Sequence, residues 1–203
     1  MSIQETQNTY KQSPLNKSRE DKFFLVLNLP EALLRIRKED LRKTDSIQLD
    51  PLQLSIFGTV VPDIVVPGVE NRFSGSTYYI SSHQKRPFPP LNVNFKIDNE
   101  FNNYWVIYKW LDLLHHEKAG HYDKDELVER LSSDPKNLKY DLQEYQTDLT
   151  LYGLDEYNQK RISFKYTKAF PLKLGAINYD YKNPEEISSS VEFAFSQLHT
   201  SIL

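Results

Sequence analysis

The chain has 203 residues, a net charge of −3 and a pI near 6.0, which suits one substantial domain and argues against a protein that grips nucleic acid by neutralising phosphates. It has no cysteine, so disulfides, thiolate chemistry, Zn–Cys sites and Fe–S clusters are excluded and assembly in a reducing compartment is expected. With 13 Tyr and 11 Phe against 6 Gly, the composition favours strands over the glycine loops that cradle phosphate.

Residues 1–22 are charged and polar with little to bury, which predicts a flexible N-terminal arm, either an ordinary frayed terminus or one that orders only on a neighbouring subunit. The same stretch lacks the apolar region of a signal peptide, and no apolar run approaches the roughly 18 residues of a membrane span, so a chain made in and for water is expected. From residue 23 to 203 we expect a single domain. "FFLVLNL" reads as a buried strand stopped by Pro30, and "PEALLRIRKEDLRKT" suits either a short helix or an extended arm. "LQLSIF" alternates Leu52, Leu54 and Ile56, the mark of a half-buried strand.

Residues 58–90 hold Pro62, Pro67, Gly68, Gly75, Pro87, Pro89 and Pro90 around one strand candidate, "STYYIS". So long an excursion is expected to have a task, and we assign it to contacts between subunits. "LNVNFKI" is the cleanest strand, with Leu91, Val93, Phe95 and Ile97 on one face and Asn92, Asn94 and Lys96 on the other. Asp98 is placed to cap a helix from about Asn99 to His115. Phe101, Tyr104, Trp105, Tyr108 and Leu111 recur there at helical spacing and are the expected core stripe, widened by Ile107, Trp110 and Leu114.

Residues 115–146 form a charged insertion with one short helix expected at "DKDELVERLSS". The chain then closes with strands at "TDLTLYG", "KRISFKY" and "SSSVEFAFSQL", with "AFPLKLGAINYDYKN" as a further extended run. The order predicts an α+β fold, mainly antiparallel β, in which a β-sandwich or partial barrel carries one main flanking helix.

Little in the chain suggests chemistry. His115, His116 and His121 with Asp123 are the one cluster of metal-ligating types, but adjacent His on a helix point about 100° apart and the spacing fits no compact ligand motif. A solvated helix end is the simpler reading. Glu185 with Glu186, and Asp123 with Asp125, lie in polar stretches where solvated charge is expected rather than acid/base work. His83, Lys85, Arg86 and Phe88 mix base and aromatic as single-strand binders do, but they are four residues in an acidic chain. There is no G-x-S-x-G, Walker loop or G-x-G-x-x-G. We therefore expect no enzyme, no cofactor and no metal.

The order of these pieces resembles the tail tube proteins of contractile-tailed bacteriophages, in which a strand leads through a "DE..NY..I..WL" segment into a helix. Asp98, Glu100, Asn103, Tyr104, Ile107, Trp110 and Leu111 match that pattern. Asp148, Leu149, Leu151, Phe164, Phe170, Pro171, Leu174 and Tyr179 fall on the family's later strand-and-"FP" pattern. The sequence departs from it at "FPLKLGAINYDY", where Lys and Gly replace small hydroxylated residues, and in the length of the charged insertion. The resemblance implies a structural virion protein that forms hexameric rings, stacked into a tail tube that conducts double-stranded DNA without binding it specifically. Sheath, baseplate or neck proteins would be its neighbours, the virion tail its place and the host cytoplasm its site of assembly. Asn92, Asn94 and Lys96 then become candidates to face the lumen, and Lys96 would need a carboxylate beside it. A tube-initiating ring at the baseplate, a tube-terminating ring at the neck, and a soluble binding module stay open as alternatives, as does an enzyme with a nonstandard carboxylate site.

Overall fold

The computed structural model describes residues 17–30, 32–33, 55–114, 144–182 and 185–203. Most of the arm, most of the charged insertion with its expected helix, His115, His116, His121 and Asp123, and residues 34–54 lie outside the described residues.

Nine strands and one long helix are present among the described residues: β1 (Phe23–Leu27), β2 (Ile56–Thr59), β3 (Gly68–Phe73), β4 (Ser76–Ser81), β5 (Leu91–Lys96), α1 (Asn102–Leu114), β6 (Thr147–Leu154), β7 (Lys160–Leu174), β8 (Ser188–Ala194) and β9 (Gln197–Ile202). All strand pairs are antiparallel, in the order β1-β6-β7-β8-β5-β2 with β9 also on β7, while β3 and β4 pair apart as a ribbon. The fold is thus α+β and mainly antiparallel, as the sequence predicts.

The strand β7 joins two halves of the sheet. Its first part pairs with β6 and β9, and from Phe170 onward it pairs with β8. The change of partner occurs at a kink: Lys168 has φ 54°, and a bulge lies opposite between Thr147 and Leu149. Asp148 holds this kink. Its carboxylate accepts from the Lys168 backbone N–H at 3.2 Å and pairs with Lys165 Nζ at 2.8 Å. Proline is tolerated at Pro171 because a second bulge follows it. "AFPLKL" therefore extends β7, while the chain after Leu174 leaves the sheet. Gly175 marks the departure: its N–H donates to Ser190 O at 2.6 Å, and a Cβ there would sit 2.6 Å from Ser190 Oγ. A close backbone approach explains this glycine, one of the departures from the family pattern.

Both halves turn their apolar residues to one core. Leu25, Leu149 and Tyr166 come from one half, Leu91, Val93, Phe95, Val191 and Phe193 from the other, and Val106, Ile107 and Trp110 from α1. Alternation in β5 is as expected, with Leu91, Val93 and Phe95 buried and Asn92, Asn94 and Lys96 on the outward side.

The helix presents a different face from the predicted one. Its buried residues are Asn103, Val106, Ile107, Trp110 and Leu113. Phe101 and Tyr108 are 37% and 38% exposed, and Tyr104, Trp105 and Leu111 are half-buried, with Tyr104 and Trp105 against the edge of the core. Polar ties set this rotation. Asn103 Nδ2 donates to Lys96 O at 2.7 Å and to Ser55 Oγ at 3.2 Å, so this side chain must face the end of β5. Trp110 Nε1 donates to Tyr145 O at 2.8 Å while its ring meets Phe193 at 5.8 Å. A buried indole needs such an acceptor. Asp98 caps the helix as expected, accepting from the N–H of Asn102 and Asn103, but the first helical residue is Asn102 rather than Asn99, because Phe101 takes φ 58°.

Candidate functional site

Two outward surfaces carry the features a structural protein would use. The first is the outer face of the β2-β5-β8-β7 half. Register places Asn92 beside Glu192 and Glu192 beside Lys173, Asn94 beside Ser190, and Lys96 beside Ser188. Residues directly opposite in antiparallel strands share a face, so the three sequence candidates Asn92, Asn94 and Lys96 stand in one polar field.

Charge in this field cancels locally. Lys173 Nζ lies 3.1 Å from Glu192 Oε1, and Lys96 Nζ lies 3.7 Å from Glu186 Oε2. Lys96 also donates to Glu186 O at 3.4 Å and lies over the Phe57 ring at 5.6 Å. The remaining members, Asn92, Asn94, Ser188 and Ser190, are neutral, and Thr59 donates its hydroxyl to Asn92 O at 3.1 Å. The sequence asked for a carboxylate near Lys96 without naming it; Glu186 is ninety residues away along the chain. Glu192 was within reach of sequence reasoning, since it stands between the inward Val191 and Phe193.

The second surface is the β3–β4 ribbon, which occupies the excursion of residues 58–90. Only "STYYIS" is predicted there, yet "GVENRF" pairs with it in full register. Ser74 and Gly75 make the turn with φ 50° and 79°, a two-residue hairpin loop of the kind that needs both residues left-handed. Val69 faces Ile80, Asn71 faces Tyr78 and Phe73 faces Ser76 on one side; Glu70 faces Tyr79 and Arg72 faces Thr77 on the other, where Glu70 and Arg72 pair at 3.0 Å. Every ribbon residue is exposed. The basic and aromatic group near its base is divided: Phe88 packs on Phe195 at 5.2 Å with Lys85 Nζ 4.5 Å above its ring, while His83 and Arg86 are exposed.

Among the described residues no three His, Asp or Glu side chains are grouped to hold a metal, and no helix is long and apolar enough to cross a membrane. Of the carboxylates considered for acid/base work, Glu185 is exposed and Glu186 is the partner of Lys96.

Residues 18–201 match the sequence model of a family described as phage tail tube protein. No curated protein sequence matches the chain. Among solved structures, the fold is similar to that of the anti-feeding prophage tube terminating cap, with a TM-score of 0.58, 12% identity, and coverage of 98% of this chain and 99% of that one. It is similar to a chain of the sheath-tube complex of an extracellular contractile injection system in its extended state, with a TM-score of 0.53, 9% identity and coverage of 94% and 95%. A chain of the anti-feeding prophage baseplate, 6-fold symmetrised, gives a TM-score of 0.53 at 9% identity over 92% and 96%.

Proposed function

Because this chain belongs to the phage tail tube protein family, we propose that it is a structural protein of a contractile phage tail, six copies of which close into a ring, with rings stacked into a hollow tube that lets double-stranded DNA pass on ejection. The observation that carries this reading is the outer face of the β2-β5-β8-β7 half, a polar field whose two lysines are each matched by a carboxylate. Each uncompensated Lys offered to a phosphate would add salt-dependent affinity, and sixfold repetition would multiply it. A wall of Asn92, Asn94, Ser188 and Ser190 with paired charges lets a duplex slide. This is the face we assign to the lumen.

The rest of the reading follows the same logic. Closing a ring covers the edges that β1, β2 and β9 leave open among the described residues. Residues 1–22 and 58–90 make contacts between subunits, so a chain lacking its first 20 residues folds but assembles poorly. The protein works in the virion tail after assembly in the host cytoplasm, beside sheath, baseplate or neck proteins, and catalyses nothing. Electron microscopy of the purified protein tests this, together with retention of duplex DNA at low salt. Hollow rings or tubes without DNA retention are expected. A monomer at high concentration, or tubes that bind duplex with a steep salt dependence, would defeat the conduit reading.

A further inference from the structure

The core does not cover the whole inward face of the β1-β6-β7-β9 part of the sheet. Across these strands Leu27, Leu149 and Tyr166 form one row, Leu25, Leu151 and Phe164 the next, and Phe23, Gly153, Ile162 and Ile202 the last. The first row is buried, whereas in the last Phe23 and Ile162 are half-buried and Ile202 is 88% exposed. A Cβ on Gly153 would sit 2.7 Å from Ile162 Cγ2, so the Ile162 side chain lies over this glycine. The last row is therefore an apolar shelf about 14 Å wide, three strand spacings, and it is open among the described residues. An apolar row that continues the core yet stays open marks a contact surface.

The long segments outside the described residues join the body at different places. Residues 34–54 and 115–143 leave or return at the far end of these strands, where the Ala32 N–H donates to Glu144 O at 3.4 Å and Leu113 packs with Ala32 and Tyr145. The other end of the first, at Ser55, is bonded to Asn103 in the first turn of α1. Residues 1–16 alone enter beside the shelf, because Lys22 O accepts from the Leu154 N–H at 2.9 Å and Lys22 leads directly into Phe23. Residues 17–21 are all exposed, so the arm stands away from its own body as it enters.

We infer that this shelf is the seat of the N-terminal arm of a second copy, with Leu15 laid against Ile162 and Ile202. The inference rests on the ring reading above, in which the arm joins subunits, and gives the arm its site. Leu15 is the large apolar residue of the arm nearest to β1, with Tyr10 next. From Leu15 to Lys22 the extended chain spans about 25 Å, enough to leave one body and cross onto another. Pro14 fixes its own φ and holds Ser13 extended, so this stretch has little backbone freedom to lose on docking. The polar remainder of the arm stays in water, as a segment without a core of its own requires.

The chain has no cysteine, so an introduced pair reports one contact. Full-length Leu15→Cys and Ile202→Cys variants are mixed in equal amounts, assembled, oxidised and run on a non-reducing gel. A disulfide-linked dimer that neither variant gives alone is expected, because the seat brings the two positions within the roughly 7 Å between Cα atoms that a disulfide tolerates. Leu15→Cys mixed with His199→Cys, which stands on the opposite face of β9, is expected to give none. Ile202→Ser should match the wild type in circular dichroism and lose assembly in negative stain as far as the chain lacking its first 20 residues, and the two changes together should do no more than either. If the wild type forms rings and the mixture gives no dimer, or an equal one with His199→Cys, or a chain carrying both Leu15→Cys and Ile202→Cys links only within itself, the seat is overturned and the ring reading stands. A wild type that remains monomeric overturns both.

Discussion

The β5 strand and the β3–β4 ribbon use similar residues and reach opposite states. In β5, Leu91, Val93 and Phe95 alternate with polar residues and are buried; in the ribbon, Val69, Phe73, Tyr78 and Ile80 share one side and are exposed. The difference is a third layer. The inward face of β5 is covered by α1 and by residues of the β1 side of the sheet, while no described residue buries the ribbon's apolar face. Alternation specifies a face, and only packing decides whether the face becomes core or interface.

The comparison breaks most sharply at α1. Trp110→Ala empties a fully buried site against Phe193 and should lower subunit stability by about 3–5 kcal/mol in denaturant unfolding. Trp105→Ala, at the half-buried edge, should cost only about 1 kcal/mol. Equal losses from the two would mean that the helix is turned toward the stripe of Phe101, Tyr104, Trp105, Tyr108 and Leu111.

Next comes the tie between helix and strand. Asn103→Ala removes a buried side chain that donates to the Lys96 carbonyl and should cost about 1–3 kcal/mol by the same measurement. A neutral result would show that the β5–α1 junction does not depend on this side chain.

A smaller effect lies at the β7 kink. The hydrogen bond from Lys165 holds the Asp148 carboxyl below its ordinary 3.8, against partial burial and with help from the Lys168 N–H. A depressed carboxyl contributes stability above its unfolded value, and that contribution is lost as pH falls through the folded one. Unfolding followed on the acid side of pH 3.8 should therefore show a loss that Asp148→Asn lacks. The pair is partly exposed, so the difference should stay under about 1 kcal/mol.

Smallest is the ribbon. Phe73→Ser with Ile80→Ser should change subunit stability by no more than about 0.5 kcal/mol, since neither side chain touches the core. Thermal unfolding of the unassembled subunit measures it. A large loss would place the ribbon within the cooperative body rather than outside it.

The sequence by itself determined the strands whose pattern is local. Leu91 to Ile97, Leu149 with Leu151, and Val191 with Phe193 announce their buried sides by period two, and Asp98 announces a cap by standing just before a helical stretch. It also carried the order of motifs that leads to the family. Tertiary structure alone decided which side of an aromatic helix faces inward. Aromatics lie all around α1, so the periodicity is nearly degenerate, and the choice fell to Asn103 and Trp110 reaching backbone carbonyls of Lys96 and Tyr145. Only the fold could show that "GVENRF" finds its partner across Ser74 and Gly75, because its mixture of Glu, Asn and Arg hides the strand. The neutrality of the Asn92, Asn94 and Lys96 face was settled in the same way. Glu192 is set beside Lys173, nineteen residues away, by the β7–β8 pairing. Glu186, just before β8, comes beside Lys96, ninety residues away, where β5 meets β8, and no local period encodes either relation.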